Sequence, residues 1–154
     1  MTASETDRAA IEEIAAIVRA DYGRFPKDQT YEIYDPEVYF KDPTSEFRGV
    51  ERYKQTIAFI DRWFKNPQLD LHELRTMPIE PDDGVAPRYK LRTDWTLSWN
   101  TPLPWSPRVT ISGWSELGIG FETSERGAIV SHVDYWHCSI WDVVHQHFPW
   151  KTAR

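Results

Sequence analysis

YDPEVYFKDPTSEFRG, running from Tyr34 to Gly49, decides how this chain folds. Within it Val38, Phe40 and Asp42 share one face of a period-2 strand, and Tyr39 and Lys41 take the other. Asp42-Pro43 closes the strand. The loop after it opens an amphipathic helix near Gly49, whose apolar stripe is Val50, Tyr53, Ile57, Ile60 and Phe64 until Asn66-Pro67 ends it. Asp42 thus terminates an apolar strand face, the kind of position where burial favours the protonated form of a carboxylate and suits it to acid–base work.

Outward from this stretch, Ser4 is a candidate N-cap for a first helix. Ile11, Ile14, Ala15, Val18 and Tyr22 recur in it at helical spacing until Gly23. Pro26 to Tyr34 reads as a loop with a short helix. After Pro67 the period switches. Leu69 to Met77 alternates imperfectly, which predicts a strand with a bulge, and Pro78 to Pro87 is a polar turn region. In Arg88 to Trp99, Tyr89, Leu91, Thr93, Trp95, Leu97 and Trp99 fall on one face, and Arg88, Lys90, Arg92, Asp94, Thr96 and Ser98 on the other. Thr101 to Pro107 breaks that strand, and Val109 to Phe121 resumes. Glu122 to Gly127 is a hairpin turn, and Ala128 to Cys138 is the last strand. Beyond Ser139 one helical turn is expected around Trp141 to His145. No repeat or linker divides the chain, so residues 1–154 are expected to form one domain. Helix, strand, helix and then a run of strands is an α+β layout, a curved antiparallel sheet with helices packed on one face.

A formal net charge of -6, with acids and bases interleaved, speaks against nucleic acid and anionic membrane as partners. The polar, acidic N-terminus is unlike a signal or transit peptide, and the single cysteine, Cys138, fits a reducing compartment; the expected location is cytoplasmic. Eight Trp, seven Tyr and seven Phe are a high aromatic load, with Trp95, Trp99, Trp105, Trp114, Trp136 and Trp141 all in the sheet half. They either pack a twisted sheet or line a cavity for a flat apolar ligand.

The strand–Asp-Pro–loop–Arg-Gly–helix unit, followed by long hairpins ending in His132-Val133-Asp134-Tyr135-Trp136, resembles the nuclear-transport-factor-2-like (SnoaL-like) superfamily over nearly the whole chain. The pattern also looks like an uncharacterised branch of it found in cyanobacteria and plants. The resemblance implies a cone-shaped α+β fold and many alternative activities. Asp42-Pro43 with Glu46, Arg48 and Gly49 is similar to the run that carries the general base of ketosteroid isomerases, which implies Asp42 as a base. Leu91-Arg92-Thr93-Asp94 and Val133-Asp134-Tyr135 are similar to pieces of limonene epoxide hydrolases, which implies Arg92 held between Asp94 and Asp134. Bidentate bonds would suit that arrangement.

Three readings stay open. The leading one is a pocket protein binding a small apolar or aromatic molecule, with Phe40, Trp114, His132 and Trp136 as ligand-binding residues. The second is a cofactor-independent enzyme using Asp42, Arg92, Asp94 and Asp134. The third is an interaction domain without a pocket function. No cofactor is expected, and no metal, because His132-x-Asp134 and His145-x-His147 lack a strong zinc spacing. The uncovered sheet face is expected to form a homodimer. Which face of the last two strands points inward depends on hairpin register, since a one-residue slip reverses every side chain.

Overall fold

The computed structural model describes residues 5–78, 89–122 and 124–148. The expected cap Ser4 and most of the turn region from Pro78 to Pro87 lie outside the described residues. Helix α1 (Glu5–Arg24) turns Ile11, Ile14, Ala15 and Val18 inward. A single 3-10 turn (Tyr31–Ile33) leads into β1 (Tyr34–Lys41), and the three-residue β2 (Glu46–Arg48) follows it. Helix α2 (Val50–Trp63) begins at Gly49, whose φ of 109° favours glycine. The sheet continues with β3 (Lys65–Pro78), β4 (Tyr89–Asn100), β5 (Arg108–Gly120) and β6 (Ala128–Trp136), and the chain then enters α3 (Ile140–Gln146).

The six strands form one sheet in the order β2-β1-β6-β5-β4-β3. All neighbours are antiparallel except β1 and β6, which run parallel with Phe40 beside His132. The sheet is therefore curved and mostly antiparallel, as expected, with this one parallel pair. The chain returns from β5 through a hairpin that leaves β6 running alongside β1.

Two bulges decide what faces inward. In β3, Leu71 pairs with Trp95 and Glu73 with Asp94, so His72 is the extra residue and both Leu71 and Leu74 can face the core. In β6, Ile129 pairs with Ile119 and Ser131 with Gly118, so Val130 is extra. That shift keeps Ile129 inward and also turns His132, Asp134 and Trp136 inward. The inner face packs Val38, Leu91, Leu117, Ile119 and Ile129 against α1. Each of these large side chains contributes about 1.5–3 kcal/mol by leaving water. A second cluster of Phe40, Phe47, Tyr53 and Ile57 seats α2 on β1.

Helix α3 is longer than the single turn expected. Ser139 caps it reciprocally with Asp142. Its Gln146 side chain pairs with both backbone groups of Thr110, Thr110 N–H donating to Oε1 at 2.6 Å and Nε2 donating to Thr110 O at 2.9 Å. Since β6 pairs with β5 only as far as Gly113, the helix takes over the edge that β6 leaves. Val143 joins Trp95, Trp99, Val109 and Ile111 in the third cluster and closes that end of the cone.

Candidate functional site

Period 2 along β4 and β5 places Thr93, Trp95 and Ser115 among the apolar residues of the inner face. Register then sets Ser115 directly across from Asp134 and beside Thr93. The Trp95 indole Nε1–H donates to Ser115 Oγ at 2.8 Å, and Ser115 gives its own hydroxyl hydrogen to Asp134 Oδ1 at 2.5 Å. The same carboxylate oxygen lies 2.7 Å from His132 Nε2. A carboxylate oxygen accepts, so the hydrogen is assigned to Nε2, and the contact fixes the ring. Tyr22, at the end of α1, reaches Thr93 Oγ1 at 2.9 Å beside this chain of bonds.

His132 is only 6 % exposed, and its Nδ1 has no hydrogen-bond partner among the described residues. Aromatic rings surround it, with centroids at 5.0 Å for Phe40, 5.6 Å for Tyr53 and 6.4 Å for Tyr34, the last nearly parallel to the imidazole. Burial pushes the Tyr22 phenol up to about 12, and it pushes Tyr34 and Tyr53 up as well. All three keep their hydrogens at neutral pH and can act as donors. With Asp134 fixing one nitrogen, the other can accept a hydrogen bond or a proton, or donate one once the ring is charged.

The structure brings Phe40, His132, Asp134 and Trp136 to the inner face, Trp136 lying with the third cluster. It does not assemble the other expected residues there. Arg92 and Asp94 pair with Glu116 and Trp114 in β5, on the opposite face from Thr93, Ser115 and Asp134. The Arg92–Asp94 contact of 3.2 Å exists, but Asp134 is on the other side of the sheet, so the expected trio does not form. Trp114 is likewise outside, stacked on Tyr135 at 4.9 Å and under the Arg92 guanidinium at 4.8 Å. Asp42 follows β1 in the hairpin to β2. Its Oδ1 accepts from Thr44 N–H at 2.7 Å, Thr44 Oγ1 at 2.8 Å, Ser45 N–H at 2.7 Å and Ser45 Oγ at 3.1 Å. It holds a turn and does not enter the cone.

The sequence pattern does not mark Tyr34, Tyr53, Thr93 or Ser115 as site residues, and Tyr22 enters it only as part of the apolar stripe of α1. Ser115 and Thr93 had a signal, each being the one Ser or Thr on a strand face otherwise apolar or aromatic. Two surface depressions approach the cluster. One, of about 640 Å³, lies between the 3-10 turn, the start of α2 and the β5–β6 hairpin and includes Tyr34. The other, of about 370 Å³, includes Tyr22 and the bulged part of β3. Neither is lined by Trp95, Trp114 or Trp136.

The model of a family described as an uncharacterized conserved protein (DUF2358) matches residues 12–132. The chain belongs to that family. The matched span runs from α1 to His132 and so contains every residue of the network except Asp134. No curated protein matches this DUF2358 member by sequence. Among solved structures it is similar to a Xanthomonas campestris protein provisionally described as a polyketide cyclase, with 11% identity and a TM-score of 0.62, covering 92% of this chain and 98% of that one. A Novosphingobium aromaticivorans protein provisionally described as a scytalone dehydratase gives 11% identity and a TM-score of 0.64, with 87% and 88% covered. A Catenulispora acidiphila protein with a ketosteroid isomerase-like fold, in complex with trimethylamine, gives 14% and 0.60, with 87% and 91% covered. At these identities the likeness establishes the nuclear-transport-factor-2-like fold of the DUF2358 chain, and the chemistry has to be argued from its own residues.

Among the described residues no three His, Cys, Asp or Glu side chains converge as a metal site would. Burial pushes the half-buried Cys138 thiol up, which favours its protonated, unreactive form.

Proposed function

We propose that this protein binds a small, largely apolar or aromatic molecule within the cone, the molecule's polar group hydrogen-bonding to His132 Nδ1. The buried, unpartnered Nδ1 carries this reading. A buried polar atom without a partner is unfavourable by about 1–3 kcal/mol, and a ligand hydroxyl placed there would remove the penalty. The rings of Tyr34, Phe40 and Tyr53 suit a flat ligand. The fold-sharing proteins described as a polyketide cyclase and a scytalone dehydratase support the reading. His132→Phe keeps a ring of similar size and removes both nitrogens. Against 2-naphthol, a neutral planar probe with one hydroxyl, it should weaken binding about tenfold, or 1.4 kcal/mol. In the native protein the probe should also shift the His132 Nδ1 nitrogen resonance. Equal affinity and an unmoved resonance would refute the proposal.

A second reading is favoured by the carboxylate–imidazole pair itself: Asp134 orients His132, and Nδ1 removes a proton next to a carbonyl, without a cofactor. Native protein should then speed hydrogen exchange into 2-tetralone from deuterated water, and Asp134→Asn should lose that acceleration. The outer sheet face is proposed to pair with a second copy. Its Trp114–Tyr135 stack is flanked by Arg92, Asp94, Lys90 and Glu116, so a twofold-related copy can meet opposite charges. The proposed compartment is the cytoplasm, in keeping with the lone thiol. Among the described residues, no helix is long and apolar enough to cross a membrane.

A further inference from the structure

The 640 Å³ depression and the His132 box share one residue, Tyr34. Its ring lies nearly parallel to the imidazole, tilted by 15°, and also meets Tyr53 at 5.0 Å. The backbone that carries it is irregular. In the parallel pairing Tyr34 stands beside Ile129 and Tyr39 beside Ser131, so four residues of β1 lie between positions that only Val130 separates in β6. The 3-10 turn ends immediately before it. Tyr34 therefore lines an open groove and also packs beside the His132 and Tyr53 rings, on a segment with few ladder bonds to hold it. The rim of the groove carries the exposed Glu32 and Glu37, and its Lys54 is paired with Glu51 at 3.1 Å.

We propose that this groove is the vestibule of the His132 site and that the Tyr34 ring is its gate, admitting neutral or cationic planar molecules and disfavouring anionic ones. The proposal rests on the binding role given to His132 above and adds the route and the charge class. Swinging the Tyr34 side chain aside breaks its contact with Tyr53 and joins the groove to the space beside Nδ1. Glu32 and Glu37 set a negative potential at the mouth, which slows anions and speeds cations through the encounter step.

Stopped-flow tryptophan quenching with 2-naphthol, 2-naphthoate and 2-naphthylmethylammonium separates the two ideas. In the native protein, naphthol and the ammonium probe should associate at least tenfold faster than naphthoate. Tyr34→Ala should raise the naphthol association rate about fivefold or more. Glu32→Gln with Glu37→Gln should speed naphthoate and slow the ammonium probe. Should Tyr34→Ala fail to fold, Glu37→Trp, a substitution at an exposed position on the groove wall, should slow naphthol association by a similar factor. If His132→Phe weakens binding while neither Tyr34→Ala nor Glu37→Trp changes the association rate, the vestibule and gate are overturned and the His132 site stands. If naphthoate binds as fast as naphthol, the charge selection is overturned. No saturable binding of any probe to the native protein overturns the site and its vestibule together.

Discussion

Ser115 and Asp134 face each other across the β5–β6 ladder, and the serine hydroxyl donates to the carboxylate at 2.5 Å while accepting from the buried Trp95 indole. One oxygen thus joins a core tryptophan to the carboxylate that fixes His132. Removing it leaves two consequences of different kinds.

Ser115→Ala strands the Trp95 Nε1–H inside the core and takes one donor from Asp134. An unsatisfied buried donor is unfavourable by about 1–3 kcal/mol, so urea unfolding should report a loss in that range. The His132 ring should lose its fixed orientation as well, giving broadened or doubled imidazole resonances. A variant as stable as the native protein, with a single sharp His132 signal, would show that Ser115 does not organise the site.

At Gly113 the backbone of β6 leaves no room for a Cβ. A Cβ built there would lie 2.0 Å from the carbonyl oxygen of Tyr135 and 3.2 Å from the Trp136 Cα, both backbone atoms. Side-chain adjustment cannot relieve such a contact, so the strands must part just where β6 leaves the sheet. Gly113→Ala should destabilise by about 3 kcal/mol or more, at the upper end of overpacking effects. It should also reduce amide protection at His137, whose N–H donates to Ser112 O at 2.8 Å. A loss below about 1 kcal/mol would contradict the geometry.

Period 2 was enough to read from sequence that His132, Asp134 and Trp136 share a face, and that Phe40 lies on the apolar side of β1. It was also enough to exclude Arg92 and Asp94 from the cone. Thr93 and Trp95 belong to the apolar set of β4, and their neighbours must point the other way. Motif likeness to an epoxide hydrolase drew attention to those charges against the alternation. What the pattern could not supply was the bulge at Val130. A bulge is set by which ladder bonds form between β5 and β6, and no residue at Val130 announces it. Asp42 misled for a related reason. An Asp-Pro at a strand end reads the same whether its carboxylate enters a pocket or gathers the amides of the next turn, and here Thr44 and Ser45 supply the donors. The short β2 offered too few residues for any period to register.

Three tyrosines around the His132 network, Tyr53 buried and Tyr22 and Tyr34 partly buried, make stability sensitive to alkali. In the unfolded chain Tyr22, Tyr34 and Tyr53 ionise near 10, whereas burial raises all three in the folded protein, Tyr22 to about 12. Below the unfolded value they are protonated in both states and their contribution is complete. Above it the unfolded chain releases protons that the native state keeps, so stability falls as pH rises through the folded values. The slope is about 1.4 kcal/mol per pH unit for each tyrosine. Urea midpoints should therefore decline steeply above about pH 10. Near-ultraviolet phenolate absorbance should show three of the seven tyrosines silent until the protein unfolds. Smooth ionisation of all seven in the folded state would place these rings in contact with water.

The outer face supplies the last test. Trp114 and Tyr135 stack at 4.9 Å, Arg92 lies over the indole, and Tyr135 remains 38% exposed. If this face pairs two copies, sedimentation at micromolar concentration should show a species of twice the 18.2 kDa chain mass. Tyr135→Glu places a carboxylate in the aromatic strip without touching the inner face, since Asp134 and Trp136 point the other way. Repelled from its own copy and costly to desolvate, that carboxylate should return the protein to monomers. The inner network should be undisturbed, so 2-naphthol binding by the monomeric variant should match that of the native protein. A native protein that sediments only as the single chain would remove the proposed pairing. A monomeric Tyr135→Glu that loses the probe would instead show that pairing and the His132 site depend on each other.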